Sequence, residues 1–294
     1  MPEQPLAEVF GYPIDNFSEE AKNARAKNLC PFRSETLPDT RCTKDSKISP
    51  LGVCSVFGGG EIAITCPVRF IQRQAMVADA AKFFFPAGAS WRALPEVRLR
   101  DIEAKPVGNV DFVLVSYDEQ NRVLDYGALE VQSVYISGNV RDPFSHFMAD
   151  PDENCSMNWR GQPKYPRPDY LSSSRKRLAP QLISKGGIFS AWNRKMAVAL
   201  NTGFFDRLPE LEQVSAEEAE IAWLIYDLQL DADQNRHQLV LHRTVYTKFE
   251  SALLRITQSE AGAEAGFLSG IQNKLKERLN AHRDKTIAEL DPNR

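Results

Sequence analysis

The clearest pattern of apolar and polar positions predicts a pair of strands in the middle of the chain. Residues 110–117 (VDFVLVSY) and 123–134 (VLDYGALEVQSV) are rich in β-branched and aromatic side chains, and the turn-forming residues 118–121 separate them. Such a pattern is typical of an antiparallel hairpin. Two later apolar segments, 222–230 and 238–245, predict two further strands.

Helical patterns flank these strands. We predict helices over 18–28, 72–85, 175–200 and 249–288, with a break at Gly186-Gly187 in the third and an interruption near 262–270 in the fourth. Pro86 ends the second helix, because proline cannot continue the hydrogen-bond ladder. Strands mixed with helices indicate an α/β or α+β fold.

Composition excludes several classes of protein. The chain has 294 residues, 43% hydrophobic and 26% charged, which is ordinary for a globular protein with a real core. No apolar run approaches the roughly 18 residues that a membrane span needs. The N-terminal residues lack a basic stretch followed by an apolar one, so we expect no secretory signal, no membrane partner and a cytoplasmic location.

Charge is unevenly distributed along the chain. The net charge is −3, yet residues 160–195 hold nine basic side chains and one acid, so this segment carries +8 and the remainder −11. One basic segment in an acidic protein is compatible with nucleic-acid binding through one face. The alternative is a solvated basic loop and helix. The candidate DNA contacts are Arg175, Lys176, Arg177, Lys185, Arg194 and Lys195.

Four of the five cysteines lie at equal intervals of 12 residues, at Cys30, Cys42, Cys54 and Cys66. Four thiolates can form a tetrahedral iron or zinc site, and the surrounding segment, rich in Gly, Pro and Ser, has little core of its own. We therefore predict a metal-binding module over residues 1–70 and a second domain over 71–294. The alternative is four ordinary buried thiols. Cys155 is expected to be a buried residue without a metal role.

The hairpin carries a candidate catalytic site. Asp111 begins the first strand, and Glu130 and Gln132 share one face of the second. A turn centred on 119–120 would pair Asp111 with Ala128 and make Glu130 its diagonal neighbour, roughly 7–8 Å away. Two such carboxylates can hold one Mg²⁺ ion. The alternative is a half-exposed strand whose polar face is solvated.

Together these residues resemble the PD-(D/E)xK nuclease superfamily and, more closely, the NotI restriction endonuclease family. The resemblance is carried by Cys30-Pro-Phe32, Cys42, Gly52-Val-Cys54, Cys66-Pro67, Val110-Asp-Phe112 and Tyr126-Gly-Ala-Leu-Glu-Val-Gln132. It implies an α/β fold with a mixed sheet flanked by helices. It also implies a Mg²⁺-dependent type II endonuclease that cuts double-stranded DNA as a homodimer, with a cognate DNA methyltransferase as genetic partner and a structural iron (or zinc) in the four-cysteine site.

The resemblance assigns roles residue by residue. Asp111 and Glu130 become the Mg²⁺ ligands, and Glu96, fifteen residues before Asp111, becomes an additional active-site acid. Gln132 stands where the superfamily motif usually has lysine. Since glutamine carries no charge, it can only orient a water molecule or the phosphate through hydrogen bonds.

Two other functions fit the same residues. A non-catalytic DNA regulator could use the four-cysteine module alone, in which case Asp111, Glu130 and Gln132 would be dispensable. A repair or defence nuclease could share the fold without strict sequence specificity.

Overall fold

The computed structural model describes residues 4–34, 40–258 and 261–289. The chain divides into two compact units, Met1–Thr257 and Gln258–Arg294. The four-cysteine segment and the predicted hairpin both lie in the first unit. The proposed boundary at residue 70 stays a prediction.

The first unit contains twelve strands among its described residues. They are β1 (Leu6–Val9), β2 (Tyr12–Pro13), β3 (Val53–Gly58), β4 (Glu61–Ile64), β5 (Trp91–Arg100), β6 (Pro106–Tyr117), β7 (Val123–Gln132), β8 (Tyr135–Ser137), β9 (Arg167–Asp169), β10 (Met196–Asn201), β11 (Ile221–Asp231) and β12 (Arg236–Thr247).

The helices of the first unit are α1 (Glu19–Lys27), α2 (Pro31–Ser34), α3 (Ala75–Phe84), α4 (Arg141–Ala149), α5 (Pro151–Asn154), α6 (Thr202–Phe205) and α7 (Phe249–Thr257), with a 3₁₀ segment at Pro67–Gln74. A further helical stretch, residues 170–191, alternates between α and π geometry and is called the interrupted helix here. Its two π segments are Ser174–Leu178 and Leu182–Gly186. The second unit contains α8 (Glu264–Glu289).

The main sheet has six strands in the order β12-β11-β10-β7-β6-β5. β10 runs parallel to both of its neighbours, and the outer pairs are antiparallel, so the sheet is mixed. A four-stranded sheet has the order β2-β1-β3-β4, and β8 pairs with β9. The expected mixed sheet flanked by helices is confirmed.

The core lies on both faces of the main sheet. On one face, α3 buries Met76 and Phe84 against Leu129 and neighbouring apolar side chains. On the other face, Leu178 and Leu182 of the interrupted helix belong to the same buried cluster as Val198. Central strands covered on both sides consist of continuous apolar runs, and β10 is buried along its whole length.

The predicted helix over 175–200 is wrong in its last part. Residues 196–201 form β10, and only the stretch up to Ala191 is helical. An apolar run such as Met196-Ala-Val-Ala-Leu200 has no period that distinguishes a buried strand from a buried helix. Pairing with β7 and β11, which no local pattern records, decides its conformation.

The predicted interruption of the C-terminal helix is also misplaced. α7 ends at Thr257 and α8 begins at Glu264, so Gly266 and Gly270 lie inside a helix. Glycine lowers helix propensity by only about 1 kcal/mol, and neighbouring helix-forming residues outweigh that cost.

The hairpin of β6 and β7 is confirmed, but its register differs from the predicted one by two residues. The turn closes between Asp118 and Arg122, and Val113, rather than Asp111, pairs with Ala128. Continuing this register brings Asp111 level with Glu130 instead of diagonal to it. The difference arises because the Asp118 side chain accepts hydrogen bonds from the amides of Gln120 and Arg122, which favours a longer loop.

Candidate active site

Three neighbouring strands bring three acidic side chains to one region of the main sheet. Asp111 on β6 is level with Glu130 on β7, and Glu96 on β5 is level with Asp111. The Asp111 Oδ2 atom accepts a 2.8 Å hydrogen bond from the amide of Val131, which fixes the carboxylate beside Glu130. The structure therefore brings the predicted acids together.

Glu130 and Gln132 are each only 2% exposed, so the alternative of a solvated polar strand face is wrong. Leu129 and Val131, which alternate with them, are packed in the core as expected. Glu130 and Gln132 thus lie in a buried recess of the opposite face rather than in open solvent.

Burial and mutual repulsion dominate the electrostatics of the carboxylate pair. Burial raises the pKa of Asp111, against the hydrogen bond from Val131 and the charge of Lys185. Burial and the negative charge of Asp111 together raise the pKa of Glu130 to about 7, although Lys185 acts in the opposite direction. One ammonium does not compensate the two carboxylates of half-buried Asp111 and buried Glu130, so the site favours additional positive charge.

Lys185 reaches the carboxylate pair from the interrupted helix. Its Nζ atom donates hydrogen bonds of 2.9 and 2.8 Å to Oε1 and Oε2 of Glu130. The two side chains are 8% and 2% exposed, which makes this a buried ion pair. Lys185 was expected to be a DNA contact, and the structure places it beside a predicted metal ligand.

Gln132 faces the same helix. Its Nε2 atom donates a hydrogen bond to Oε1 of Gln181, which fixes the orientation of the amide. Both glutamines line the cleft. An uncharged side chain held in this way can orient a ligand but supplies no charge.

Glu96 occupies an unusual backbone conformation for a non-glycine residue, with φ of 53°. Such positions cost free energy, and they cluster at functional sites. Its Oε2 atom accepts a 3.2 Å hydrogen bond from Nδ2 of Asn109, and its charge contributes to the raised pKa of Asp111. Glu96 is exposed at the mouth of the cleft, in contrast to the buried Glu130.

Glu96, Asp111, Gln132 and Lys185 line a cleft of about 650 Å³, and Glu130 lies buried behind it as the ion-pair partner of Lys185. Its walls contain Glu96, Asp111 and Gln132 on the sheet side and Lys176, Arg177 and Lys185 on the helix side, together with Arg33. The several cations of the helix side suit a substrate that is itself anionic.

The other predicted DNA contacts lie in different places. Arg175 is exposed on the interrupted helix, next to the two rim cations. Arg194 pairs with Asp125 at 2.5 Å and stacks on Tyr126. The Lys195 ammonium lies over the ring of Phe83. Arg194 and Lys195 therefore do not line the cleft.

The predicted cysteine ligands lie near one another. Cys30 and Cys54 belong to one small buried cluster with Phe32, and Cys42 packs against it. Burial raises the pKa of Cys30 to about 11, and the charges of Cys66 and Cys42 add to this effect. Across residues 4–34, 40–258 and 261–289, however, no group of three or more His, Cys, Asp or Glu side chains is arranged to hold a metal ion. The structure thus does not show the predicted metal-binding module.

Sequence reasoning missed the roles of Gln181 and Lys185 as partners of Gln132 and Glu130. The contacting residues are 49 and 55 positions apart, and no spacing rule connects them. The available signal was the Gly186-Gly187 pair, which indicated an irregularity in the helix beside Lys185.

Comparison with known proteins identifies the family. The family model described as Restriction endonuclease NotI matches residues 8–239, which include the carboxylate pair, Gln132, Lys185 and all four spaced cysteines. A search of curated proteins found no match. No described helix combines the length and apolarity that crossing a membrane requires. Because the match covers most of the chain and the mixed sheet carries acids at the expected positions, the chain belongs to the NotI restriction endonuclease family.

Proposed function

We propose that this chain is a type II restriction endonuclease that cleaves double-stranded DNA at a specific, palindromic site by Mg²⁺-dependent hydrolysis. The observation that carries the proposal is the pair of half-buried Asp111 and buried Glu130, of which Asp111 lines a cleft with basic side chains on its helix side. Membership of the NotI family supports the nuclease class. The proposed Mg²⁺ dependence is argued below from the chemistry of the cleft.

The carboxylate pair fits a hard divalent cation. Both side chains offer oxygen donors, and their raised pKa values reflect negative charge that Lys185 alone does not offset. Asp111 and Glu130 would hold the ion, with Glu96 as the additional acid nearby. Mg²⁺ bound there would polarise the scissile phosphodiester and lower the pKa of the attacking water.

The protein's own side chains account for the remaining tasks. Gln132, fixed by Gln181, orients the water or the phosphate by hydrogen bonding. The exposed cations Arg175, Lys176 and Arg177 contact the DNA backbone or bases, since arginine pairs well with guanine edges.

A palindromic target implies a two-fold partner. One active site cuts one strand, so a homodimer would place two clefts symmetrically on a duplex. A cell that contains such an enzyme in its cytoplasm needs its own DNA protected, and a cognate methyltransferase is the proposed genetic partner.

We also propose a structural iron or zinc ion at Cys30, Cys42, Cys54 and Cys66. The support is the donor chemistry and the mutual proximity of these thiols, since burial and then the charge of Cys66 raise the pKa values of Cys30, Cys42 and Cys54. The four thiols fit iron or zinc by the type of donor atom they offer. Among the described residues, however, they are not arranged as a coordination shell. Bound metal would deprotonate thiols that burial otherwise keeps neutral.

Digestion of plasmid DNA tests the proposed function. With Mg²⁺, we expect discrete fragments whose ends, read by run-off sequencing, share one palindrome. A smear would favour the less specific repair or defence nuclease, and intact plasmid with retained DNA binding would favour the non-catalytic regulator. Omission of Mg²⁺ is the matched control and should abolish cleavage.

A further inference from the structure

The active-site motif of this chain lacks a cation of its own. Its third position, Gln132, is neutral, and Gln181, the residue to which Gln132 donates a hydrogen bond, is neutral as well. The cleft nevertheless contains a buried cation close to the metal-binding acids. The ammonium of Lys185 contacts both oxygens of Glu130, at 2.9 and 2.8 Å.

Several structural features place Lys185 in this position. It lies in the second π segment of the interrupted helix, Leu182–Gly186. Such wide turns are rare in proteins overall, but those that occur are often found at functional sites. The methylene stem passes Gly108, where an added Cβ would lie 3.6 Å from Cε of Lys185. Gly186 packs so closely against Phe249 that an added Cβ would lie 2.7 Å from its ring. The helix is thereby held at a fixed depth in the cleft.

Burial distinguishes Lys185 from the other cations of the cleft. Lys176 and Arg177 are exposed at the rim. An exposed ammonium or guanidinium keeps its hydration and can bind the phosphates of a nucleic acid. The Lys185 side chain is 8% exposed, and a desolvated ammonium is retained only where it is paired. Its charge is therefore fixed beside the carboxylate pair, where the proposed reaction takes place, rather than at the rim.

We propose that Lys185 supplies, from the interrupted helix, the active-site positive charge that Gln132 cannot supply from β7. This inference rests on the proposed nuclease function and deepens it. In hydrolysis the water oxygen forms a bond to phosphorus while the bond from phosphorus to O3′ breaks. One water proton passes to solvent, and the leaving O3′ takes a proton from solvent. The ammonium of Lys185 stabilises the negative charge that develops on the phosphate oxygens and does not itself transfer a proton.

The test compares four proteins in single-turnover cleavage with Mg²⁺, each checked for folding by thermal melting. They are the wild type, Lys185→Met, the double variant Gln132→Lys with Lys185→Met, and the control Lys82→Met, whose lysine is exposed on α3. We expect Lys185→Met to lower the cleavage rate constant about 10²–10³-fold, the usual effect of removing one charge-stabilising group. DNA affinity measured in Ca²⁺ should change far less, and the control should match the wild type.

The double variant separates a role in charge from a role in folding. It returns an ammonium to the cleft from the motif position, so it should recover at least tenfold of the lost rate, which a merely structural role of Lys185 does not predict. A folded Lys185→Met protein that cleaves within threefold of the wild type would overturn the inference. If Lys185→Met does not fold, the double variant is used instead. Cleavage by the double variant would support the inference, and a folded double variant that does not cleave would overturn it. A wild type that does not cleave overturns the proposed function instead.

Discussion

At the scale of single residues, the carboxylate of Glu130 is more deeply buried and closer to other charges than its strand position suggests. A glutamate on one face of a strand is ordinary, but this one is buried between Asp111 and Lys185. Alanine at position 130 would leave Lys185 buried without its partner, a change that typically costs about 3–5 kcal/mol. Glutamine removes the charge and keeps the volume, which makes it the better probe.

The raised pKa of Glu130, about 7, has a consequence for stability. The folded metal-free protein holds this proton more tightly than the unfolded chain, whose glutamate titrates near 4.5. The corresponding stability is present below pH 4.5 and is lost as the pH rises through 7. Chemical denaturation of the metal-free protein should therefore show a free energy of unfolding that falls as the pH rises through this range. Glu130→Gln should make this fall smaller. Glu119→Gln, on the exposed hairpin turn, is the control, and equal slopes in both variants would contradict the assignment.

The sequence was sufficient to find the acids and Gln132 but not their cationic partner. Alternation along β7 places Glu130 and Gln132 on one face whatever the exact register, because a two-residue shift preserves the face. The same shift changed the neighbour of Asp111, because the loop conformation depends on side-chain hydrogen bonds of Asp118. The contact with Lys185 depends on packing between elements, which no local pattern encodes.

At the scale of elements, a buried ion pair connects β1 to the 3₁₀ segment before α3. Glu8 and Arg69 are both fully buried, with Nε of Arg69 3.0 Å from Oε2 of Glu8. Arg69 also donates to the backbone carbonyl of His237 at the start of β12. Three separate elements therefore meet at one guanidinium, whose loss would loosen all of them.

This pair predicts a specific acid sensitivity. Burial alone would raise the pKa of Glu8, but the charge of Arg69 together with hydrogen bonds from His237 and Arg69 outweighs it and holds the value at about 2. Its contribution to stability is present above pH 4.5 and is lost as the pH falls toward 2. We expect Glu8→Gln to lower the free energy of unfolding at neutral pH by about 3–5 kcal/mol, since it leaves Arg69 unpaired. Its stability should also depend less on pH in acid.

The matched control for this prediction is Glu19→Gln, which removes an exposed carboxylate on α1. Denaturant titrations at neutral and acidic pH measure both variants. Equal stability of Glu8→Gln and the control at neutral pH would show that the buried pair contributes little to holding these elements together.

The elements differ in how far local sequence determines them. α1 was predictable because Ser18 caps its first turn and the pattern is uninterrupted. β10 was not, because its apolar run suits either a helix or a strand and only the strands beside it decide. The prediction failed at the strand that joins the two antiparallel parts of the sheet.

At the scale of the whole molecule, we expect the cysteine cluster to bind one structural metal ion. Cys54→Ser should lower the melting temperature and the iron or zinc content together, whereas Cys155→Ser, which changes a thiol outside the cluster, should change neither. Elemental analysis of the purified protein measures the content directly. A metal-free wild type that tolerates Cys54→Ser would contradict this part of the account.

The protein should also act as a homodimer, because symmetric cleavage of a palindrome needs two clefts. Sedimentation of the protein alone and on a duplex that carries its site should show a species of twice the chain mass. Single chains under both conditions would count against the palindromic target as well as the dimer.

The proposed nuclease function depends on the carboxylate pair of Asp111 and buried Glu130. It is tested most directly by the single-turnover cleavage rate of Glu130→Gln with Mg²⁺, alongside DNA affinity in Ca²⁺ and the Glu119→Gln control. We expect a folded variant that binds DNA as well as or better than the wild type, because a negative charge near the phosphates is gone. Its cleavage should be slower by at least about 10²–10³-fold. A folded Glu130→Gln protein that cleaves at the wild-type rate would contradict the account.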